Sequence, residues 1–146
     1  YLNEIISSFK EISKKNFIFN FDQYSNVKKI TKSIEIVYGL RNFIGNANKF
    51  SKNSVFVNLK SDSENTEVTI EDDGNGFPRD ILSKIGEPYL RSNNNLERSK
   101  NGLGLGLFIG KTLLEKNFAY INCRNSKTRS GAEIIIRWKN KDLFNI

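Results

Sequence analysis

From residue 32 to residue 50 the apolar side chains fall on a period that only a helix satisfies. Ile36, Leu40, Phe43, Ile44, Ala47 and Phe50 share one face at about 100° per residue. Two short segments follow, 54–60 and 66–72, and both read as strands. The polar turn Ser61-Asp62-Ser63-Glu64-Asn65 between them predicts a hairpin. Around this centre lie further elements. Leu2, Ile5, Ile6, Phe9 and Ile12 predict a helix within residues 1–15, and the Phe-rich segment 16–21 predicts a strand. A short helix is expected over 79–84 and a longer one over 103–116. Two strands, about 118–124 and 132–138, flank the turn 126–131. The predicted fold is α+β: a two-layer α/β sandwich with a mixed sheet of about five strands on about three helices. Neither a repeat nor a linker interrupts it, so residues 1–146 read as one domain.

Three places break the ordinary pattern. With the helix drawn to residue 53, Asn42, Asn46, Lys49 and Asn53 fall within roughly 60° of one another, roughly 130° from the apolar face. Asparagine is a poor helix former, so this face is either a solvated one in an Asn-rich chain or an oxygen ligand for a hard cation with a lysine for phosphate. Next, Asp72-Asp73-Gly74-Asn75-Gly76 follows a strand directly. Val68 and Ile70 share a face with Asp72 by the period of two, so Asp72 points towards the core side. A carboxylate there needs a partner, and a purine amine could be one; the alternative is a plain Asp-Gly turn. Last, Asn101-Gly102-Leu103-Gly104-Leu105-Gly106-Leu107-Phe108 alternates glycine and leucine and runs into a helix. Backbone N–H groups at a helix start suit an anion, although the spacing is neither Walker A nor Rossmann.

Composition removes several chemistries. The chain has no histidine and one cysteine, which excludes a disulfide framework, a Cys/His zinc site and any histidine general base. No apolar run approaches the roughly 20 residues of a membrane-spanning helix. The net charge of +7 suits an anionic partner, or merely reflects the Asn, Lys and Ile of an AT-rich coding sequence. The chain starts Tyr1-Leu2 and lacks methionine, so it reads as a piece of a longer protein with no signal peptide in view. Residues 91–101 hold one apolar side chain, Leu96, and read as a mobile loop long enough to be a lid.

In order and spacing these motifs resemble the boxes of sensor histidine kinases. Asn42-Phe-Ile-Gly-Asn46-Ala-Asn-Lys49-Phe50 is similar to the N box, and Asp72-x-Gly74-x-Gly76 to the first glycine box. Glu87-Pro88-Tyr89 resembles the F box, with Tyr for the usual Phe. Gly102-Leu-Gly104-Leu-Gly106-Leu is similar to the second glycine box and Ser130-Gly131-Ala132 to the last. The resemblance covers about residues 33–138 and implies the Bergerat ATP-binding fold of gyrase, the Hsp90 chaperones and MutL. Gly86 to Leu90, Gly106 to Glu115 and Trp138 are most similar to the RegB/PrrB group of redox-responsive membrane sensors.

That resemblance implies Mg²⁺ and ATP as cofactors. Asn46 would be the metal ligand, Asn42 would line the phosphate end and Lys49 would touch phosphate. Asp72 would accept from the adenine amine and Gly76 would lie against the base, with Gly74 beside it in the same cofactor-binding loop. Tyr89 of the F box would contact the nucleotide, and so would Arg91 from a lid at 90–101 that also carries Arg98 and Lys100. Gly102, Leu103, Gly104, Leu105, Gly106 and Leu107 would present backbone N–H groups to the phosphates. It also implies partners beyond the chain: a dimerising hairpin with the acceptor histidine, whose end residues 1–15 would form, and a response regulator. Cytoplasmic placement beneath an inner-membrane parent follows from the same likeness.

Two departures stand out. Gyrase-like ATPases carry a water-activating glutamate four residues before the metal-binding asparagine; here that position is Asn42, which cannot act as a base. Cys123 does not match the redox cysteine of the RegB group and reads as a small buried residue. The rival readings are a hydrolysing ATPase and a basic nucleic-acid module; the scattered basic residues and lack of a nucleic-acid motif count against the second.

Overall fold

The computed structural model describes residues 2–21, 33–82 and 103–143. Its elements run α1 (Leu2–Lys10), β1 (Asn16–Phe21), α2 (Ile34–Phe50), β2 (Ser54–Ser61), β3 (Asn65–Asp72), α3 (Arg79–Leu82), α4 (Leu103–Lys116), β4 (Tyr120–Asn125), β5 (Ala132–Lys139) and α5 (Asn140–Leu143). The strands form one sheet in the order β1-β2-β3-β5-β4. β1 runs parallel to β2 and every other pair is antiparallel, so the sheet is mixed. Helices α2 and α4 pack on each other and on the sheet, and α1 packs against α2 and β1. The expected sandwich is therefore the observed architecture.

Strand parity builds the interface between the layers. Val55, Val57 and Leu59 of β2, Val68 and Ile70 of β3, and Ile134, Ile136 and Trp138 of β5 are buried beneath Ile36, Leu40, Phe43, Ile44 and Ala47 of α2. Trp138 satisfies its indole by donating Nε1–H to the Asn117 carbonyl (3.1 Å). Two glycines let the helices approach: a Cβ on Gly39 would meet Leu114 Cγ at 2.6 Å, and one on Gly110 would meet the Phe43 ring at 2.9 Å.

Three boundaries differ from the expected ones. Ser33 caps α2 by accepting the Ile36 N–H, but the helix stops at Phe50 and not at 53. Ser51 leaves the helical backbone, its N–H donating to Ala47 O, so Asn53 belongs to no helical face. Helix α1 ends at Lys10, leaving Ile12 67% exposed while Ser13 Oγ bonds Asn48 Oδ1 (2.6 Å). Strand β4 begins at Tyr120 because Phe118 adopts φ 68° and closes α4, with Ala119 N–H donating to Leu114 O.

Candidate functional site

One cavity of about 180 Å³ opens between the layers. That is more than ten times the ~10–15 Å³ a single water needs. Asn46, Ala47 and Phe50 of α2 line one side and Leu107 of α4 joins them. Ile70 and Asp72 of β3, the loop Asn75-Gly76-Phe77-Pro78, and Ala132 and Ile134 of β5 line the other. Most of this lining is apolar, with a few polar groups that converge, as small-molecule sites have.

Asp72 ends β3 and is 3% exposed. Its Oδ1 accepts the Gly74 N–H (2.8 Å) and the Ala132 N–H (3.3 Å). Burial raises its pKa above the ordinary carboxyl value; these two bonds oppose the rise and the neighbouring Asp73 charge adds to it. A half-satisfied buried carboxylate facing a cavity is an acceptor waiting for a donor.

The backbone around it fits closely. A Cβ on Gly131 would run into the carbonyl oxygen of Asp72, and one on Gly74 into the carbonyl oxygen of Phe50. Gly76 has φ 78°, a conformation side chains rarely adopt. Asp73 turns the opposite way and accepts N–H groups from Lys52 (2.8 Å), Asn53 (3.1 Å) and Ser54 (3.2 Å). Burial opposes its charge, but these donors outweigh it and hold the carboxyl below the usual range. Asp73 thus ties the glycine loop to the end of α2.

On the helical side the Asn46 Nδ2 is buried with no hydrogen-bond partner. Gly106 lies against it, since a Cβ there would meet Asn46 Nδ2 at 2.8 Å. Asn42, one turn earlier, is half-buried and donates its amide to the Tyr38 carbonyl (2.8 Å). Lys49 is exposed, its Nζ 5.6 Å from the centre of the Phe50 ring. Neither Asn42 nor Lys49 lines the cavity.

The structure therefore brings Asn46, Asp72, Gly76 and Leu107 to one cavity, with Gly74 and Gly106 packed just behind it. Leu103, Gly104 and Leu105 form the first turn of α4, whose leading N–H groups have no partner within the helix. Tyr89, Gly102 and the whole expected lid at 90–101, Arg91 included, lie outside the described residues. Among the described residues no cluster of His, Cys, Asp or Glu could hold a metal. Cys123 is partly buried, and burial pushes its thiol up to about 12, leaving it inert at neutral pH. The motif reading placed Ala132 in its last box without giving it a role, and it missed Phe77, which lines the cavity, and Asn125, which acts from behind it and carries no sequence signal of its own.

Residues 31–142 match the family described as histidine kinase-, DNA gyrase B-, and HSP90-like ATPase, and the chain belongs to it. It is similar to the sensor histidine kinase RegB of Cereibacter sphaeroides, 36% identical over 102 residues. That alignment covers 66% of this chain and 22% of RegB, so the chain spans about a fifth of that relative. Among solved structures it resembles the mycobacterial sensor histidine kinase MprB, with a TM-score of 0.74, 24% identity, and 94% and 95% of the two chains covered. It also resembles full-length ShkA in complex with AMPPNP, with a TM-score of 0.70, 20% identity, and 94% and 28% covered. At those identities the two structures speak for the fold. No described helix is long and apolar enough to cross a membrane.

Proposed function

We propose that this chain is the catalytic ATP-binding domain of a two-component sensor histidine kinase of the RegB kind. The observation that carries the reading is the pairing, across one cavity, of the buried Asp72 acceptor with the unpartnered Asn46 amide. Asp72 takes the adenine amine, Gly76 lies against the base, and the first turn of α4, from Leu103 to Leu107, offers N–H groups to the phosphates. Gly74 lets the loop close on Phe50, Lys49 reaches for phosphate, and Tyr89, Arg91 and Gly102 belong to the lid side.

Asn46 would hold Mg²⁺ through its side-chain oxygen. One amide with no carboxylate cluster fits a cation that keeps its waters and shares phosphate oxygens. Bound there, the ion neutralises charge on the phosphates. Asn42 lacks the basicity to activate water and its amide is spent on Tyr38, so the domain positions a phosphoryl group without hydrolysing it. No histidine stands in this chain, so the acceptor belongs to a hairpin elsewhere in the parent, and an aspartate of a response regulator receives the phosphoryl next. The parent would sit in the inner membrane with this domain in the cytoplasm, as one unit over 1–146.

The test is calorimetry followed by transfer. ATP and ADP bind and GTP binds far more weakly, because the Asp72 carboxylate opposes a guanine carbonyl. With ATP labelled on its γ-phosphate, the chain alone stays unlabelled and the hairpin of the same parent becomes labelled. Equal affinity for ATP and GTP removes the Asp72 assignment. Rapid phosphate release by the chain alone makes it a hydrolysing ATPase instead.

A further inference from the structure

The wall of the cavity formed by Gly76 and Phe77 is not held by its own strand. It is held from β4, at the edge of the sheet. Asn125, the last residue of β4, accepts the Phe77 N–H on Oδ1 (2.6 Å) and donates Nδ2–H to the Phe77 carbonyl (3.1 Å). One side-chain amide thus satisfies both backbone groups of one loop residue, as a strand partner would. Gly76 is pressed against the same amide: a Cβ there would meet Asn125 Oδ1 at 2.7 Å and the Ser130 carbonyl at 3.4 Å. Asn125 is not itself among the residues lining the cavity.

The clamp stands on a fixed base. Ser126, the next residue, is buried, donates Oγ–H to Glu71 Oε2 (2.8 Å) and accepts the Arg129 N–H (3.1 Å). Its own N–H closes the turn on the Gly131 carbonyl (2.7 Å). Arg129 lies 3.6 Å over the Phe56 ring and 3.5 Å from the Glu71 carboxylate. The turn is fastened on the outer face of the sheet and reaches through its edge to the glycine loop.

We infer that Asn125 is a positioning residue for base binding: it sets the depth of the Gly76–Phe77 wall and so the width of the slot facing Asp72. This deepens the nucleotide reading and rests on it. Because the clamp acts on the base end alone, its loss should weaken ATP and ADP by the same factor, about tenfold. The gain in ATP affinity from Mg²⁺ should stay as it is, since Asn46 and α4 are untouched.

The experiment measures ATP and ADP affinities, with and without Mg²⁺, for the whole chain, Asn125→Ala and Asn125→Asp. Aspartate keeps the acceptor for the Phe77 N–H and loses the donor, so it should fall between the other two. Amide exchange at Phe77 in the empty chain should quicken in Asn125→Ala, a readout that needs no nucleotide and survives partial loss of stability. Unchanged affinities in Asn125→Ala, with wild type binding ATP, overturn the role of Asn125 and spare the nucleotide reading. A loss of the Mg²⁺ gain in step with base affinity also overturns it, as general loosening. A wild-type chain that binds no adenine nucleotide overturns both.

Discussion

The two sides of the cavity are built by opposite means. The sheet side is closed and over-determined: Asp72, Asp73 and Asn125 each take up backbone N–H groups from other segments, and Gly74 and Gly131 sit where no side chain fits. The helical side is open. Asn46 keeps a buried N–H₂ without a partner, and the leading N–H groups of the first turn of α4 have no partner within the helix. The contrast teaches where each kind of selectivity is stored. Under the proposed nucleotide reading, the wall around the base is fixed by the fold and lacks only a donor for Asp72, whereas the phosphate and metal end takes most of its bonds from the ligand.

The hardest way to break this contrast is to fill the closed side. Gly131→Ala should cost about 3 kcal/mol or more, because the new methyl meets Asp72 backbone that cannot give. Denaturant unfolding checks it, and a midpoint equal to wild type would mean the close approach is not tight. Removing only the charge separates recognition from rigidity. Asp72→Asn keeps an oxygen for the Gly74 and Ala132 donors but presents an amide to the base, so ATP affinity should fall by about 100-fold or more.

The same substitution should raise the thermal midpoint of the empty chain. The folded pKa of Asp72 lies above its unfolded value, so the native state holds its proton longer and loses stability as pH rises from near 3.8 through the raised value. Melting both proteins from pH 4 upwards should show the midpoints diverging in favour of Asp72→Asn. A gap that stays constant with pH would place the penalty elsewhere.

On the open side the expected effects are smaller and differ in kind. Asn46→Ala should remove most of the Mg²⁺-dependent gain in ATP affinity, about tenfold, and barely move the melting temperature, since its amide N–H₂ has no partner to lose. A large stability loss there would make Asn46 a structural residue. Smallest of all, Arg137→Ala breaks an exposed pair with Glu67 on the outer face and should cost under about 1 kcal/mol, with nucleotide affinity unchanged.

Much of this architecture was legible in the order of residues because period reports on local geometry. Ile36 to Ala47 repeat at helical spacing, and the parity of Val68 and Ile70 carries Asp72 inward, where it is found buried. The rest depends on partners far along the chain. The stop of α2 at Phe50 is secured by Asp73, which collects the N–H groups of the residues just after it. The parallel pairing of β1 with β2 leaves no local pattern in either strand. Asn125 is one asparagine in a chain full of them, and only its position opposite Phe77 sets it apart.

The order of strands also carries a kinetic meaning. β2–β3 and β4–β5 are hairpins, each able to form from its own neighbourhood, whereas β3 and β5 pair residues from distant stretches, such as Val68 with Ile136. Asp72 belongs to one hairpin and Ala132 and Asn125 to the other, so neither hairpin builds the cavity alone. The site comes into being when the seam between them shuts, a long-range step that loop-closure entropy slows. Whatever occupies it can stabilise only chains in which that seam is already closed. Occupancy then acts as a latch on the folding of the whole sheet.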